Sequence, residues 1–384
     1  MPPGITSPTR AAGRVLLIAP VPPPYGGMAL QAGLLERLLR QDCTPVELLG
    51  HNQAFSRCRF LERVPGVRTV LRTALFSVRF CRQARRADVV HILSASGLNF
   101  FLVVCSAIVL GRLMGKRMIL NYRAGNADSF FRYWGWLAGL FIRMAHVTTA
   151  PSGFLAEVIQ RRIGVPVTIV ANILNFSIFR YRERPSFGPR MIVTRHLEKL
   201  YDVELVVRAF REVQRNYPAA SLRIAGTGSQ ERRLRELVAE WNLTDVRFLG
   251  YVDHKTLPAI YDDCDILLNA SRVDNFPGSL MEASAAGLVV VSTNAGGIPY
   301  LYQDGKNALL VEVGDWEGLA RGVERVLQDQ ELSRKLAFGG VELCRQCEWE
   351  TVRRALYRVY GFNLSATRTD AEPGRTEFVS TAGS

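Results

Sequence analysis

This chain of 384 residues is predicted to fold as two parallel α/β domains facing each other across a cleft. Three observations predict it. Short apolar runs alternate with amphipathic helical stretches, which calls for parallel sheets covered on both faces. The alternation breaks near Asn172–Pro189, a basic stretch with two prolines, and then starts again. At roughly 150 residues per domain the length accommodates two or three domains.

In the first half, Val15–Ala19 (VLLIA) reads as a strand. The loop PVPPPYGG follows, then a helix from Met28 to Arg40 and a strand at Pro45–Leu49. Val67–Ala87 has helical periodicity, and Asp88–Leu93 (DVVHIL) is strand-like. Phe100–Gly111 (FFLVVCSAIVLG) is the longest apolar run. At about 1.5 Å per residue it reaches roughly 18 Å, short of the ~30 Å hydrocarbon core, so it reads as a buried helix. Strand Arg117–Asn121, helix Asp128–Ala145, strand Val147–Thr149, helix Ser152–Arg162 and strand Val167–Val170 complete the half.

The second half repeats the plan. Strand Met191–Thr194 leads to helix Val203–Asn216, and strand Leu222–Ala225 ends in Gly226-Thr227-Gly228 before helix Gln230–Trp241. Strand Val246–Leu249, helix Thr256–Tyr261 and strand Ile266–Asn269 follow. Helix Ser279–Ala286, strands Val289–Ser292 and Ala308–Val311, helices through Leu343 and a late amphipathic helix Glu350–Tyr360 finish the pattern. Residues 363–384 are polar and expected to be disordered. In such sheets ligands bind beyond the carboxyl ends of the strands, so the loops after strands are the ones to inspect.

Composition narrows the function classes. Hydrophobic residues are 48% and charged residues 22%, which excludes disorder as the main state. Net charge is +13, but residues 1–187 carry 24 Lys/Arg against 8 Asp/Glu while residues 188–384 carry 24 against 27. The front half is therefore the one suited to an acidic partner. Seven scattered cysteines read as packing thiols in a reducing compartment, and Cys344 and Cys347 give only a weak metal signal. The N-terminal MPPGITSPTRAAGR has no apolar core of a secretory signal, which gives a cytoplasmic expectation.

The sharpest chemistry lies in Asp274–Gly287 (DNFPGSLMEASAAG). Pro277 and Gly278 open a helix whose first backbone N–H groups lack intrahelical partners, which makes an anion site reinforced by the helix dipole. Glu282, about one turn inside, is placed to accept from the vicinal hydroxyls of a ribose, as the acidic residue of dinucleotide-binding folds does. Asp274, before the turn, is placed to face the hydroxyls of a sugar beyond the phosphates. Read without further context, the same segment is equally a capping loop followed by a solvated glutamate.

The segment resembles the signature of retaining glycosyltransferases of family 4, which have the GT-B fold of two Rossmann-like domains. The resemblance extends through LRIAGTG (222–228), FLGY (248–251), DILLNAS (265–271), NAGGIP (294–299), Asp304-Gly305 and ALLVEVG (308–314), and covers about residues 14–361. It implies an acceptor-side domain at 14–178, a nucleotide-sugar-binding domain at 179–345, a helix at 346–362 crossing back to the first domain, and a tail at 363–384.

What the resemblance implies for the site is specific. Arg195 and Lys199 match the cation pair that binds the donor diphosphate, although Leu200-Tyr201 stands where Lys-Gly is usual. Gly278, Ser279 and Leu280 would bind the diphosphate at the helix mouth, Glu282 the ribose and Asp274 the transferred sugar. Gly226 lies in the matching strand-end turn. Gly26 and Gly27, after Tyr25, resemble the glycine loop of the first domain, where glycine permits close backbone approach to a phosphate or sugar. Arg123, in the loop Asn121–Gly125, stands where many members carry a histidine, and a guanidinium binds acceptor or donor oxygens but is a poor proton acceptor. Asp274 replaces a glutamate, and Tyr300 stands where a glutamate is frequent.

The activity implied is sugar transfer from a nucleotide-sugar donor to a lipid-linked or polysaccharide-precursor acceptor in cell-envelope or extracellular polysaccharide synthesis, with no metal required. Two other readings stay open: a non-catalytic scaffold that binds nucleotide, motivated by the missing histidine, and a GT-B sugar-nucleotide epimerase.

Outside the motif, Arg68, Arg72, Arg79, Arg82 and Arg86 fall within about 80° of one another around the helix Val67–Ala87, with Arg57, Arg59 and Arg63 upstream. Such a stripe suits reversible attachment to an anionic membrane surface at about 1 kcal/mol per cation. Nucleic acid is not expected, because the stripe lacks interleaved aromatics. Asp262-Asp263-Cys264-Asp265 reads as a helix end rather than a metal cluster, and His91, inside an apolar strand, as a core residue or cleft wall.

Overall fold

Twelve strands and twelve α-helices alternate along the chain in a computed structural model that describes residues 13–22, 26–52 and 65–363. Tyr25, Arg57, Arg59, Arg63, residues 364–384 and the side chain of Arg68 lie outside the described residues.

The first sheet contains β1 (Val15–Ala19), β2 (Val46–Gly50), β3 (Val89–Ser94), β4 (Arg117–Tyr122), β5 (Val147–Ala150) and β6 (Val167–Ile169). Their order is β2-β1-β3-β4-β5-β6, all parallel. Parallel neighbours need crossovers, which are α1 (Gly27–Gln41), α2 (Pro65–Ala84), α3 (Ser106–Leu113), α4 (Ala127–Ile142) and α5 (Gly153–Ile163). β1 and β3 are buried along their whole length, so they read as unbroken apolar runs rather than alternating ones.

The apolar run at 100–111 is helical and buried on its inner side, as expected, but it opens with a π-helical turn, Phe100–Cys105. Phe100 packs edge-on against Phe101, Tyr122 and Phe130 there. Among the described residues no helix is long and apolar enough to cross a membrane.

The second sheet contains β7 (Arg190–Thr194), β8 (Ser221–Ala225), β9 (Val246–Gly250), β10 (Ile266–Asn269), β11 (Val289–Thr293) and β12 (Leu309–Val311). The order is β12-β11-β10-β7-β8-β9, again all parallel. Its helices are α6 (Val203–Asn216), α7 (Glu231–Glu240), α8 (Leu257–Asp262), α9 (Gly278–Ala285), α10 (Trp316–Gln328) and α11 (Gln330–Cys344).

The basic stretch between the halves does not hang free. Arg184 is buried and donates to the carbonyls of Tyr261, Cys264 and Ala286. Asp265, also buried, accepts from Arg190 at 2.7 and 2.9 Å and lies 3.4 Å from Arg184. The acidic run at 262–265 is thus a structural clamp, and among the described residues no His/Cys/Asp/Glu group is arranged to hold a metal.

The last helix, α12 (Trp349–Tyr360), packs on the front domain. Val352, Leu356, Tyr357 and Tyr360 join Val15, Leu17, Leu35 and Leu93 in one apolar cluster. Trp349 Nε1 donates to Asp42 at 2.9 Å, and the Tyr357 hydroxyl meets Thr44 at 2.7 Å.

Candidate active site

The loops at the carboxyl ends of β7, β8, β10 and β11 are pressed together by glycines. A Cβ on Gly226, whose φ is +148°, would lie 1.8 Å from the Arg195 carbonyl oxygen, and one on Gly228 would lie 2.4 Å from that of Leu197. Likewise a Cβ on Gly296 would lie 2.3 Å from the Asp274 carbonyl oxygen, and one on Gly297 would lie 2.2 Å from that of Asn275. Only residues without a side chain let these backbones approach so closely. Gly226 therefore buttresses the Arg195 loop, and the loop after β11 buttresses Asp274, with the Gly297 N–H donating to the Asp274 carbonyl at 2.6 Å.

Arg195 follows β7 and is mostly buried. Its Nε donates to Asn269 at 2.9 Å, and its Nη2 donates to Asp274 at 2.6 Å. Arg195 and Asp274 are 12% and 11% exposed, so this ion pair is shielded from solvent screening but open on one side. Tyr201 lies under the guanidinium, 5.3 Å from its carbon to the ring centre. Its Nη1 makes no hydrogen bond with the described residues.

α9 begins beside this pair. Its N-cap is Pro277, which offers no capping side chain, and the first intrahelical bond runs from Met281 N–H to the Pro277 carbonyl. The N–H groups of Gly278, Ser279 and Leu280 therefore lack helical partners. The Leu280 side chain is buried in the core, so only its backbone faces the mouth. Ser279 Oγ is buried and makes no hydrogen bond with the described residues. The Tyr261 hydroxyl joins the two walls, reaching Thr194 Oγ1 at 3.1 Å and the Ser279 carbonyl at 3.4 Å.

Glu282 sits one turn along α9 and is 15% exposed. Burial pushes its carboxyl up to about 8, against the opposing pull of Arg195. A carboxyl desolvated to this degree is mostly protonated at neutral pH, and a ligand hydroxyl donating to it favours the ionised form. His254 Nδ1 stands 3.6 Å away, with its own ionisation depressed by burial.

Across the cleft, Asn275 Nδ2 donates to the Ala124 carbonyl of the front domain at 2.9 Å. This brings the Asp274 loop against the loop carrying Arg123. Arg123 donates to Asn172 Oδ1, and burial lowers its ionisation to about 10. His91 lies nearby, fully buried. Its Nδ1 meets the Tyr360 hydroxyl at 2.7 Å, while Nε2 has no partner among the described residues, so it is a half-satisfied core residue. Burial lowers it to about 3, with the Arg123 charge adding to the effect. Tyr300 also bridges the domains: its hydroxyl donates to Glu157 and its ring packs on Phe154.

Arg195, Asp274, Gly278, Ser279, Leu280 and Glu282 thus share one mouth. Lys199 does not touch the pair. It is exposed in the 3-10 turn Lys199–Tyr201 and borders a cavity of about 690 Å³ with Asp202, Arg208, Arg233, Arg272 and Trp316. Gly26, at the N-cap of α1, and Gly27 have open space where a Cβ would stand. Asn269, Tyr261, His254 and Asn275 were given no role from the sequence, and Tyr201 only as a departure from Lys-Gly. Asn269 carried a signal, a polar residue ending an apolar strand, and Asn275 lies within the motif that opens at Asp274.

The Arg stripe is not one flat exposed face. Arg72 is half-buried beside His51, Phe76 and Leu98, whereas Arg79, Arg82 and Arg86 line an open cavity of about 440 Å³ with Glu47 at the sheet edge.

Residues 179–340 match the family described as glycosyl transferases group 1. The glycogen synthase of Mycobacterium tuberculosis is 27% identical over 306 residues, 75% of this chain and 71% of that protein. The putative colanic acid biosynthesis glycosyltransferase WcaL of Salmonella typhimurium is 32% identical over 166 residues, 40% of this chain and 41% of that protein. The structure of Anabaena Alr3699/HepE in complex with UDP superposes with a TM-score of 0.68 at 16% identity, covering 90% of this chain and 98% of that one. The fold is GT-B.

Proposed function

We propose that this chain, whose residues 179–340 form a group 1 glycosyl transferase domain, transfers a sugar from a nucleotide-sugar donor to a lipid-linked or polysaccharide-precursor acceptor. The observation that carries this reading is the shared mouth: an arginine, an uncapped helix start and two carboxyl groups at the carboxyl ends of the rear strands. Arg195 Nη1 and the N–H groups of Gly278, Ser279 and Leu280 would hold the diphosphate. Glu282 would accept from the ribose diol. Asp274, oriented by Arg195, would hold the transferred sugar.

In the reaction the acceptor hydroxyl oxygen bonds to the anomeric carbon as the sugar–phosphate bond breaks, the hydroxyl proton passes to the leaving diphosphate, and charge develops on that diphosphate as it departs. Arg195 and the α9 amides are aimed at that charge, which is where preorganised donors act most strongly. Lys199 would join them on the exposed side. No metal is needed in this scheme. No side chain in the mouth is placed as an obvious nucleophile, which fits a family 4 reaction in which the leaving phosphate assists the acceptor on the same face and configuration is retained. Gly26 and Gly27 would approach the donor from the front domain, and Arg123 would bind acceptor oxygens. The neighbouring glycogen synthase and colanic acid glycosyltransferase names support a glycan product. Cytoplasmic residence at the inner membrane face, with Arg79, Arg82 and Arg86 towards anionic lipid, completes the reading.

Calorimetry with nucleoside diphosphates and their sugars tests it. Glu282→Ala should weaken bare-nucleotide affinity about tenfold or more, whereas Asp274→Ala should spare the bare nucleotide and lose discrimination among sugars. Equal losses of bare-nucleotide affinity in the two variants would contradict the assignment. Nucleotide binding without transfer or slow donor hydrolysis would turn the reading into that of a scaffold.

A further inference from the structure

The outer face of α4 inverts the usual rule for a surface helix. Ser129, Arg132, Tyr133, Trp136 and Leu140 recur at three- and four-residue spacing on its solvent side. Trp136 is 71% exposed, and Tyr133 and Leu140 are also largely in solvent. The patch continues onto α3, whose Leu113 is 80% exposed. Two contacts hold the segments side by side: Trp134 packs on Phe101 at 5.7 Å between ring centres, and Arg112 Nη1 reaches the ring of His146, just past α4.

Charge on this layer has one sign. Between Asp88 and Glu157 the only acidic residue is Asp128, and its carboxylate is occupied by Arg161 and Arg162. Arg112, Arg132 and Arg143 are exposed around the apolar patch. Arg132 lies over the Tyr133 ring at 4.9 Å, which spreads its charge along the same face.

Exposed tryptophan and tyrosine with flanking arginines and no free carboxylate is the composition of a surface that rests in a lipid headgroup region. The rings are apolar with one polar tip, and the guanidinium groups meet lipid phosphates. A water-soluble protein partner would be expected to bring carboxylates of its own but would not select for this belt of aromatic and basic residues.

We propose that the outer face of α3 and α4, centred on Tyr133, Trp136, Leu140 and Leu113, inserts shallowly into the headgroup region of an anionic bilayer. This rests on the membrane reading above and assigns it a second, apolar element that the α2 arginines lack. α2 then supplies salt-sensitive attraction and α4 the salt-resistant part, because hydrophobic contact is not screened.

Cosedimentation of the full chain with vesicles of phosphatidylcholine alone, or with phosphatidylglycerol added, reads both elements. Wild type should favour the anionic vesicles. Trp136→Ala/Leu140→Ala should lower partitioning about tenfold at physiological salt with nucleotide affinity unchanged. Both side chains lie outside the core, so folding is preserved, and Trp136→Tyr should restore most of the binding. Replacing Arg79, Arg82 and Arg86 by Gln should reduce binding mainly at low salt. Undiminished binding of the α4 variant, with the α2 variant detached, overturns the α4 assignment and leaves the membrane reading standing. Absence of wild-type binding to any vesicle overturns both. A dimer in lipid-free solution that the α4 substitutions dissociate would make the patch a subunit contact and overturn the proposal.

Discussion

The two domains share a plan of six parallel strands, yet their glycine loops are built for different reasons. In the rear domain Gly226, Gly228, Gly296 and Gly297 each lie against a neighbouring backbone with no room for a Cβ, whereas Gly278, at the start of α9, has open space there. In the front domain Gly26 and Gly27 have nothing among the described residues within 4 Å of where a Cβ would stand. The rear mouth is thus assembled by internal contacts before any ligand arrives. The family match falls on the rear domain, residues 179–340.

The sharpest way to break the contrast is a pair of alanines. Gly226→Ala must displace the Arg195 loop and adopt a backbone angle hostile to side chains, and should cost about 3 kcal/mol or more together with nucleotide binding. Gly26→Ala should leave the melting temperature nearly unchanged, within about 0.5 kcal/mol, and act only on activity. Equal destabilisation in thermal melts would remove the distinction.

A second test uses pH, because burial favours the neutral form of opposite groups in the two domains. Glu282 is raised from 4.5 to about 8, so its contribution to stability is full below pH 4.5 and is lost as pH rises through 8. His91 is lowered from 6.5 to about 3, so its contribution is present above 6.5 and is lost as pH falls towards 3. Glu282→Gln should therefore recover on the order of 2 kcal/mol between pH 6 and 8 in denaturation midpoints, and His91→Asn should flatten the acid side instead. A Glu282→Gln curve parallel to wild type would show that the mouth is wetter than described.

The smallest expected effect lies at the junction. Tyr300→Phe removes the hydroxyl bonded to Glu157 while keeping the ring on Phe154, at an exposed site, and should change stability by less than about 1 kcal/mol. Scattering profiles should nevertheless show more open molecules if this contact helps hold the domains together. Unchanged profiles would assign that task to other contacts, such as Asn275 with Ala124 and the Phe154 ring contact the variant keeps.

Most strands and helices were legible because each is an apolar run or an amphipathic stretch bounded by turn residues. Helix Val203–Asn216 and strand Ile266–Asn269 match residue for residue. The π-helical opening at Phe100 was not legible, since a uniformly apolar segment gives no periodicity from which a change of turn could be read. In the mouth, Arg195, Asp274 and Glu282 were found through a motif, and the structure brings them together. Tyr261 and His254 come from other segments and meet Ser279 and Glu282 only through the sheet topology. Along the Arg stripe Arg79, Arg82 and Arg86 are exposed, whereas Arg72 is half-buried and lines a cavity with Leu98 and Val103.

The placement of α12 carries a consequence for how the molecule is made. One side of the front sheet is sealed by Val352, Leu356 and Tyr360, which leave the ribosome only after the whole second sheet. While the intervening residues are being synthesised, Val15, Leu17 and Leu93 wait with that covering missing. A nascent chain would thus present a sticky, unfinished wall to chaperones until α12 arrives, and a premature stop before Trp349 would leave that wall permanently bare.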